Sequence, residues 1–148
     1  MLNHKHFALG AATLGLSVMG AAALADDHPY AQGPVVNVQG VRTEYGRFDE
    51  YMKYLDTTWK QEQEAAKKAG YIVSYSVFST QPRSEHDPDV YLVVTYKNWA
   101  ALDNAQEHAD AILKQVVGSV SAANQGAVDR SKLRRVISSE TMQELTLK

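Results

Sequence analysis

No cysteine occurs among the 148 residues. That excludes disulfide staples, thiolate nucleophiles and cysteine metal sites, so stability must come from a packed core. Charge of either sign is not in large excess: 15 Lys and Arg stand against 17 Asp and Glu. Blocks of like charge, internal repeats and low-complexity tracts are also missing. Such a weakly acidic, mixed surface gives no support for nucleic acid or an anionic membrane as partner. There is no G-x-S-x-G, P-loop, H-E-x-x-H or dinucleotide fingerprint, so hydrolase, kinase, zincin and Rossmann readings have no footing.

What is present begins with a long apolar run. A basic start, His4-Lys5-His6, precedes small and apolar residues from Phe7 to Ala25, closing on Ala23-Leu24-Ala25 and then Asp26-Asp27. A positive n-region, an apolar h-region and an A-x-A site describe a secretory signal peptide. The competing reading, an uncleaved anchor, suits the Ala- and Gly-rich run less well. Residues 1–25 are therefore expected to be removed, leaving a periplasmic or secreted protein with no stable membrane anchor. Residues 26–34 read as a polar N-terminal lead, and residues 35–148 as one domain.

Within that domain "VVNVQGVRT" (35–43) is short and β-branched, as a strand should be. After Gly46, the residues Phe48, Met52, Leu55, Trp59 and Ala66 keep helical spacing, and Gly70 ends the run. "YIVSYSVFST" (71–80) and "VYLVVTYK" (90–97) pair as a hairpin. Asn98 is a good N-cap for a second helix, with a stripe of Trp99, Leu102, Ala109, Leu113, Val116 and Val120. "SAANQG" reads as an interruption, "VDRSKLRR" as one further turn, and "VISSETMQELTL" as a last strand. The order β-α-β-β-α-β predicts an α+β, ferredoxin-like antiparallel sheet with both helices on one face. The other face needs a cover, and a second copy of the chain is the economical one, so a homodimer is expected.

The Gly46-led helix, the hairpin "GYIVSYSVF…DVYLVVTYKN" and the helix opening "WAALD" together resemble the dimeric α+β barrel superfamily. That group includes cofactor-free quinol and polyketide monooxygenases, stress-responsive barrel proteins and haem-degrading monooxygenases. The resemblance implies the fold and carries no motif specific to one activity. The haem-degrading branch pairs a helical histidine with a strand asparagine and a helical tryptophan, and Asn37, Trp99 and His108 are the right types. In register, however, those family positions fall on Gln39, Ala105 and Gln115, so neither haem nor another cofactor is expected.

The densest group of ionisable residues is "SEHDPD" (84–89). It lacks the glycine of a calcium loop and the second-element ligands of a zinc site, so it reads as a hairpin tip and no metal is expected. Polar residues inside apolar patterns are more informative. In the first strand Asn37 and Gln39 share a face with Val35 and Val41, opposite Val36 and Val38; those two valines suit the helix-covered side, so the amides are expected to point into the barrel. Tyr71, Tyr75, Tyr91 and Tyr96 add aromatics, and His108 sits at the edge of the second helix's stripe. The candidate ligand-binding set is Asn37, Gln39, Tyr75, Tyr91 and His108, facing a small apolar or aromatic molecule. A hydrogen-bonded dimer interface accounts for the amides equally well. Glu62 and Gln63 interrupt the first helix's stripe, which reads as a wet overhang, with a pocket acid as the alternative. Two functions stay open. One is a non-catalytic exported barrel that binds a small molecule or serves assembly. The other is a cofactor-independent monooxygenase or isomerase on phenolic or quinol-like substrates.

Overall fold

The structure is a computed structural model and describes residues 28–148; the segment read as a signal peptide lies outside them. The elements are β1 (Tyr30–Thr43), α1 (Phe48–Tyr54), a π turn (Leu55–Trp59), α2 (Lys60–Lys68), β2 (Ser74–Ser79), β3 (Val90–Tyr96), a 3-10 turn (Trp99–Leu102), α3 (Ala105–Val117), α4 (Val120–Ser131) and β4 (Arg134–Leu147). The four strands form one antiparallel sheet in the order β2-β3-β1-β4. This is the ferredoxin-like α+β arrangement the element order predicts.

β1 starts earlier than its valine run suggests, inside the segment read as a lead. Tyr30, Ala31 and Gln32 pair with Leu147, Thr146 and Leu145 before the register shifts ahead of Val35. The shift falls where it costs least, because Pro34 has no N–H to give. Gly33 tolerates it because a Cβ there would come 3.1 Å from Glu144.

α1, the π turn and α2 form one rod, since the residues at both junctions keep helical dihedrals. Tyr51, Leu55 and Trp59 are all buried in the main core beside Val41, Val90 and Leu92. In a pure α-helix each i to i+4 step overshoots by about 40°, so three such residues would wander off one line. The wider π turn, in which the Lys60 amide reaches back to Leu55 O, corrects that drift. The Thr57 hydroxyl donates to Lys53 O at 2.8 Å, satisfying a carbonyl in the distorted stretch.

The second helical region departs from expectation. Asn98 does cap, accepting from the Ala101 amide at 3.1 Å, but what it caps is a single 3-10 turn. Asn104 then takes a left-handed conformation (φ 58) and α3 starts afresh. Gly118 (φ 92) ends α3, and "SAANQG" lies within α4 instead of breaking the chain. The missed signal is Ser119, whose hydroxyl accepts from the Ala122 amide at 3.0 Å and starts the new helix.

Strand faces follow from the pairings. Val41, Gln39 and Asn37 lie opposite Val90, Leu92 and Val94, and those partners pack under the helices. Asn37 and Gln39 are therefore on the helix side, and Val36 and Val38 are on the open side. This reverses the expectation from the valine pattern. The open face carries Val36 and Val38 of β1, Tyr91 and Val93 of β3, Phe78 of β2 and Met142 of β4.

Candidate functional site: two cavities in the helix layer

Of the five residues expected to share a site, the fold brings few together. Asn37 spends its amide on β4, donating to Thr141 Oγ1 at 2.9 Å and Glu140 O at 3.3 Å. Gln39 sits opposite Ser139 on the same strip. Nearby Trp99 Nε1 donates to Gln143 Oε1 at 3.1 Å, and Gln143 Nε2 to Gly33 O at 3.2 Å. These groups lock β1 to β4. Tyr75 is also a fastener: its hydroxyl donates to Glu64 Oε1 at 2.5 Å, and its ring meets Trp59 edge-on at 5.3 Å. That bond to Glu64 raises the Tyr75 pKa. Tyr91 belongs to the opposite, open face, in a row with Phe78 and Gly40.

His108 alone lines a cavity. Its ring stacks on Tyr71, with centroids 3.9 Å apart and planes 9° from parallel. The pair walls a space of about 220 Å³ between α2, α3 and the end of β3. Tyr96, Ile72, Ile112, Leu113 and several alanines supply the remaining apolar surface, while Glu62 and Gln63 bring a carboxyl and an amide. Burial raises the Tyr96 hydroxyl pKa. Ile112 and Ile72 also pack with Ala66 as a small second core, so the cavity sits against ordered walls.

A second space, of about 450 Å³, lies between α1–α2 and α4. Tyr54 and Arg130 meet there, the guanidinium carbon 5.0 Å from the ring centroid. Burial, then the nearby Glu62 charge, pushes the Tyr54 pKa up to about 12. Glu62 lines both cavities and is half-buried, so the wet-overhang reading of this turn gives way. Burial raises its pKa, with Arg130 pulling the other way. Tyr54 and Arg130 were not foreseen, and Tyr71 was named only among the aromatics of the hairpin. The available signal was Gly126, a helix-breaking residue one turn before Arg130 inside a helix.

"SEHDPD" proves to be a fastened loop. The Arg83 amide donates to Asp87 Oδ2 at 2.9 Å, and the Thr43 amide to Asp89 Oδ1 at 2.9 Å. The Thr43 hydroxyl donates to the other Asp89 oxygen. Hydrogen bonding from the Arg83 amide, with further help from Ser84, holds the Asp87 pKa down. Among the described residues no group of three His, Cys, Asp or Glu is placed to hold a metal ion.

No family model matches the chain, and no curated protein does either. Solved structures do. HapK from Hahella chejuensis is 12% identical, with a TM-score of 0.50 over 74% of this chain and 91% of that one. Two dimeric ferredoxin-like proteins from uncultured marine organisms also align. One is 10% identical with a TM-score of 0.49 (80% and 90% of the two chains), the other 12% identical at 0.44 (80% and 96%). At such identities the HapK likeness shows the ferredoxin-like fold and nothing finer.

Proposed function

We propose that this protein is an exported, homodimeric barrel that binds a small, flat, apolar or aromatic molecule in the cavity beside His108. The observation carrying this reading is the Tyr71–His108 stack closing an otherwise apolar space, with Glu62 and Gln63 as polar groups able to orient a ligand. Phenols and hydroquinones fit this chemistry: a ring for the aromatic wall and a hydroxyl for the carboxyl or amide. The alternative, cofactor-independent oxygenation of a quinol-like substrate, is weakened because Asn37 and Gln39 lie on the β1–β4 strip, away from His108. Export rests on residues 4–27, and mass spectrometry of the mature protein should find it starting at Asp26. Dimerisation rests on the apolar open face of the sheet, and the marine ferredoxin-like proteins are themselves described as dimeric.

Amide-shift titration with a panel of hydroquinones and naphthols tests the site. Saturable shifts should cluster at Tyr71, Ile72, Tyr96, His108 and Ile112, and Ala109→Trp, which fills the space, should abolish them. Shifts confined to Asn37 and Gln39, or none with any probe, would remove the reading. Protein-dependent oxygen uptake that disappears in His108→Ala would instead establish catalysis.

A further inference from the structure

The larger cavity has a charge arrangement of its own. Six ionisable side chains of opposite signs face it: Arg47, Arg130 and Lys132 against Glu50, Glu62 and Asp129. Two of the cations are already matched on their own helical turns, Arg47 to Glu50 at 2.6 Å and Lys132 to Asp129 at 2.9 Å. Arg130 makes no ion pair within 4.0 Å among the described residues, its charge reaching Glu62 only at longer range. It lies over the Tyr54 ring instead, held above a face that attracts cations without neutralising them. Gly126, one turn earlier on α4, makes room: a Cβ there would come 3.2 Å from Arg130 Nη1. A glycine inside a helix sacrifices stability, and here it leaves the guanidinium unobstructed. Glu62, across the cavity on α2, likewise makes no ion pair within 4.0 Å among the described residues, although the Arg130 charge reaches it. Tyr54, Val117, Ala123 and Leu133 form the apolar surface of this space.

We infer that this cavity is a second ligand site, for a small monocarboxylate bearing a ring or short apolar body and a hydroxyl at its far end. Arg130 takes the carboxylate in its two-pronged geometry, the body lies along Tyr54 and Leu133, and Glu62 accepts from the hydroxyl. One unmatched cation suits one negative charge. A dianion such as a phosphate ester would face Glu50, Glu62 and Asp129 with only Arg130 free to answer it.

The probe is 4-hydroxybenzoate, compared with uncharged 4-hydroxybenzyl alcohol, titrated into the mature full chain by calorimetry and amide-shift mapping. The expected result is saturable binding of 4-hydroxybenzoate alone, with shifts on α4 and the α1–α2 rod around Tyr54. Arg130→Gln should weaken it about tenfold or more, as loss of a charge-assisted contact does. Lys60→Gln, which removes an exposed cation that pairs with Asp56 and does not line this cavity, should change affinity by less than about twofold. Ala122→Phe keeps every charge and obstructs the cavity, so it should abolish binding while the fold persists. Equal affinity of Arg130→Gln, an equal loss in Lys60→Gln, shifts only around Tyr71 and His108, or no binding would each overturn the inference. The last two outcomes leave the hydroquinone site untouched, so the two readings fail separately.

Discussion

If the open sheet face is where a second copy docks, Phe78→Ser should dissociate the pair. Phe78 lies on that face and is 55% exposed in the single chain. A phenylalanine presents about 200 Å² in all, so roughly 110 Å² of it is available to a partner. At about 25 cal/mol per Å² that is worth about 2.7 kcal/mol. A two-fold interface contains the residue twice, which doubles the loss to about 5 kcal/mol. Area converts to affinity inefficiently, because ordering and desolvation offset part of it. Retaining half still leaves about 2.5 kcal/mol, a dissociation constant raised about 70-fold.

The assay is sedimentation equilibrium of the mature protein from nanomolar to micromolar concentration, wild type against Phe78→Ser. The substitution also removes contacts within the sheet, so thermal stability falls in both association states and is read separately by circular dichroism. Met142→Ser, at a side chain 46% exposed on the same face, gives a second estimate with less effect on the monomer. A wild-type chain that is monomeric at micromolar concentration, or a Phe78→Ser dimer as tight as wild type, would refute the reasoning.

Asp89→Ala leaves the amide and hydroxyl of buried Thr43 unanswered, and should cost about 1–3 kcal/mol in urea unfolding; a neutral result would show that water replaces the carboxylate. Gly40→Ala places a Cβ 2.5 Å from Ser138 Oγ and 2.7 Å from Pro88 Cγ, a clash worth about 1–3 kcal/mol. Adding Ser138→Ala should recover only part of that loss, because the proline contact remains. Glu62 has a raised folded-state pKa, caused first by burial, so the unfolded chain releases this proton at lower pH than the folded one. Wild-type stability relative to Glu62→Gln should therefore fall as pH rises from the ordinary value of 4.5 through the raised one, then level off. Melting temperatures across that range test the sign, and the opposite trend would mean that attraction to Arg130 outweighs burial.

The sheet and its topology were readable because strands and helices differ in period, and that signal survives without any knowledge of packing. The face of β1 was not. Valines occupy both parities, Val35 and Val41 on one side and Val36 and Val38 on the other, so alternation cannot choose between them. Only the partner strands decide: Val90 and Leu92 lie under Tyr51 and Leu55, and they carry Gln39 and Val41 with them. β2 held a usable hint, since Ser74 and Ser76 alternate with Tyr75 and Val77 and mark the less buried side. The helix break was hidden for a different reason. Asn104 and Gly118 act through left-handed backbone conformations that a hydrophobic stripe does not register.

That break also explains why polar side chains can occupy the helix side of β1. A single long second helix in this topology would run across β1 and bury the row that contains Asn37 and Gln39. Here α3 packs on α2, with Ile112 against Ala66 and Ile72, and α4 swings away to set Arg130 over Tyr54. The β1–β4 strip is left with Trp99, Gln143, Asn37 and Thr141, which satisfy one another across the two strands. The same two turns that uncover the strip bring His108 onto Tyr71 and open the space beside Arg130. The two backbone turns thus account for both the polar strand residues and the cavities, and the cavities lie along the helix seam, not on the strand whose amides first drew attention. Restoring a continuous helix tests this directly. Replacing Asn104 with Ala and Gly118 with Ala should weaken hydroquinone and 4-hydroxybenzoate binding together, because each cavity depends on where α3 begins and ends.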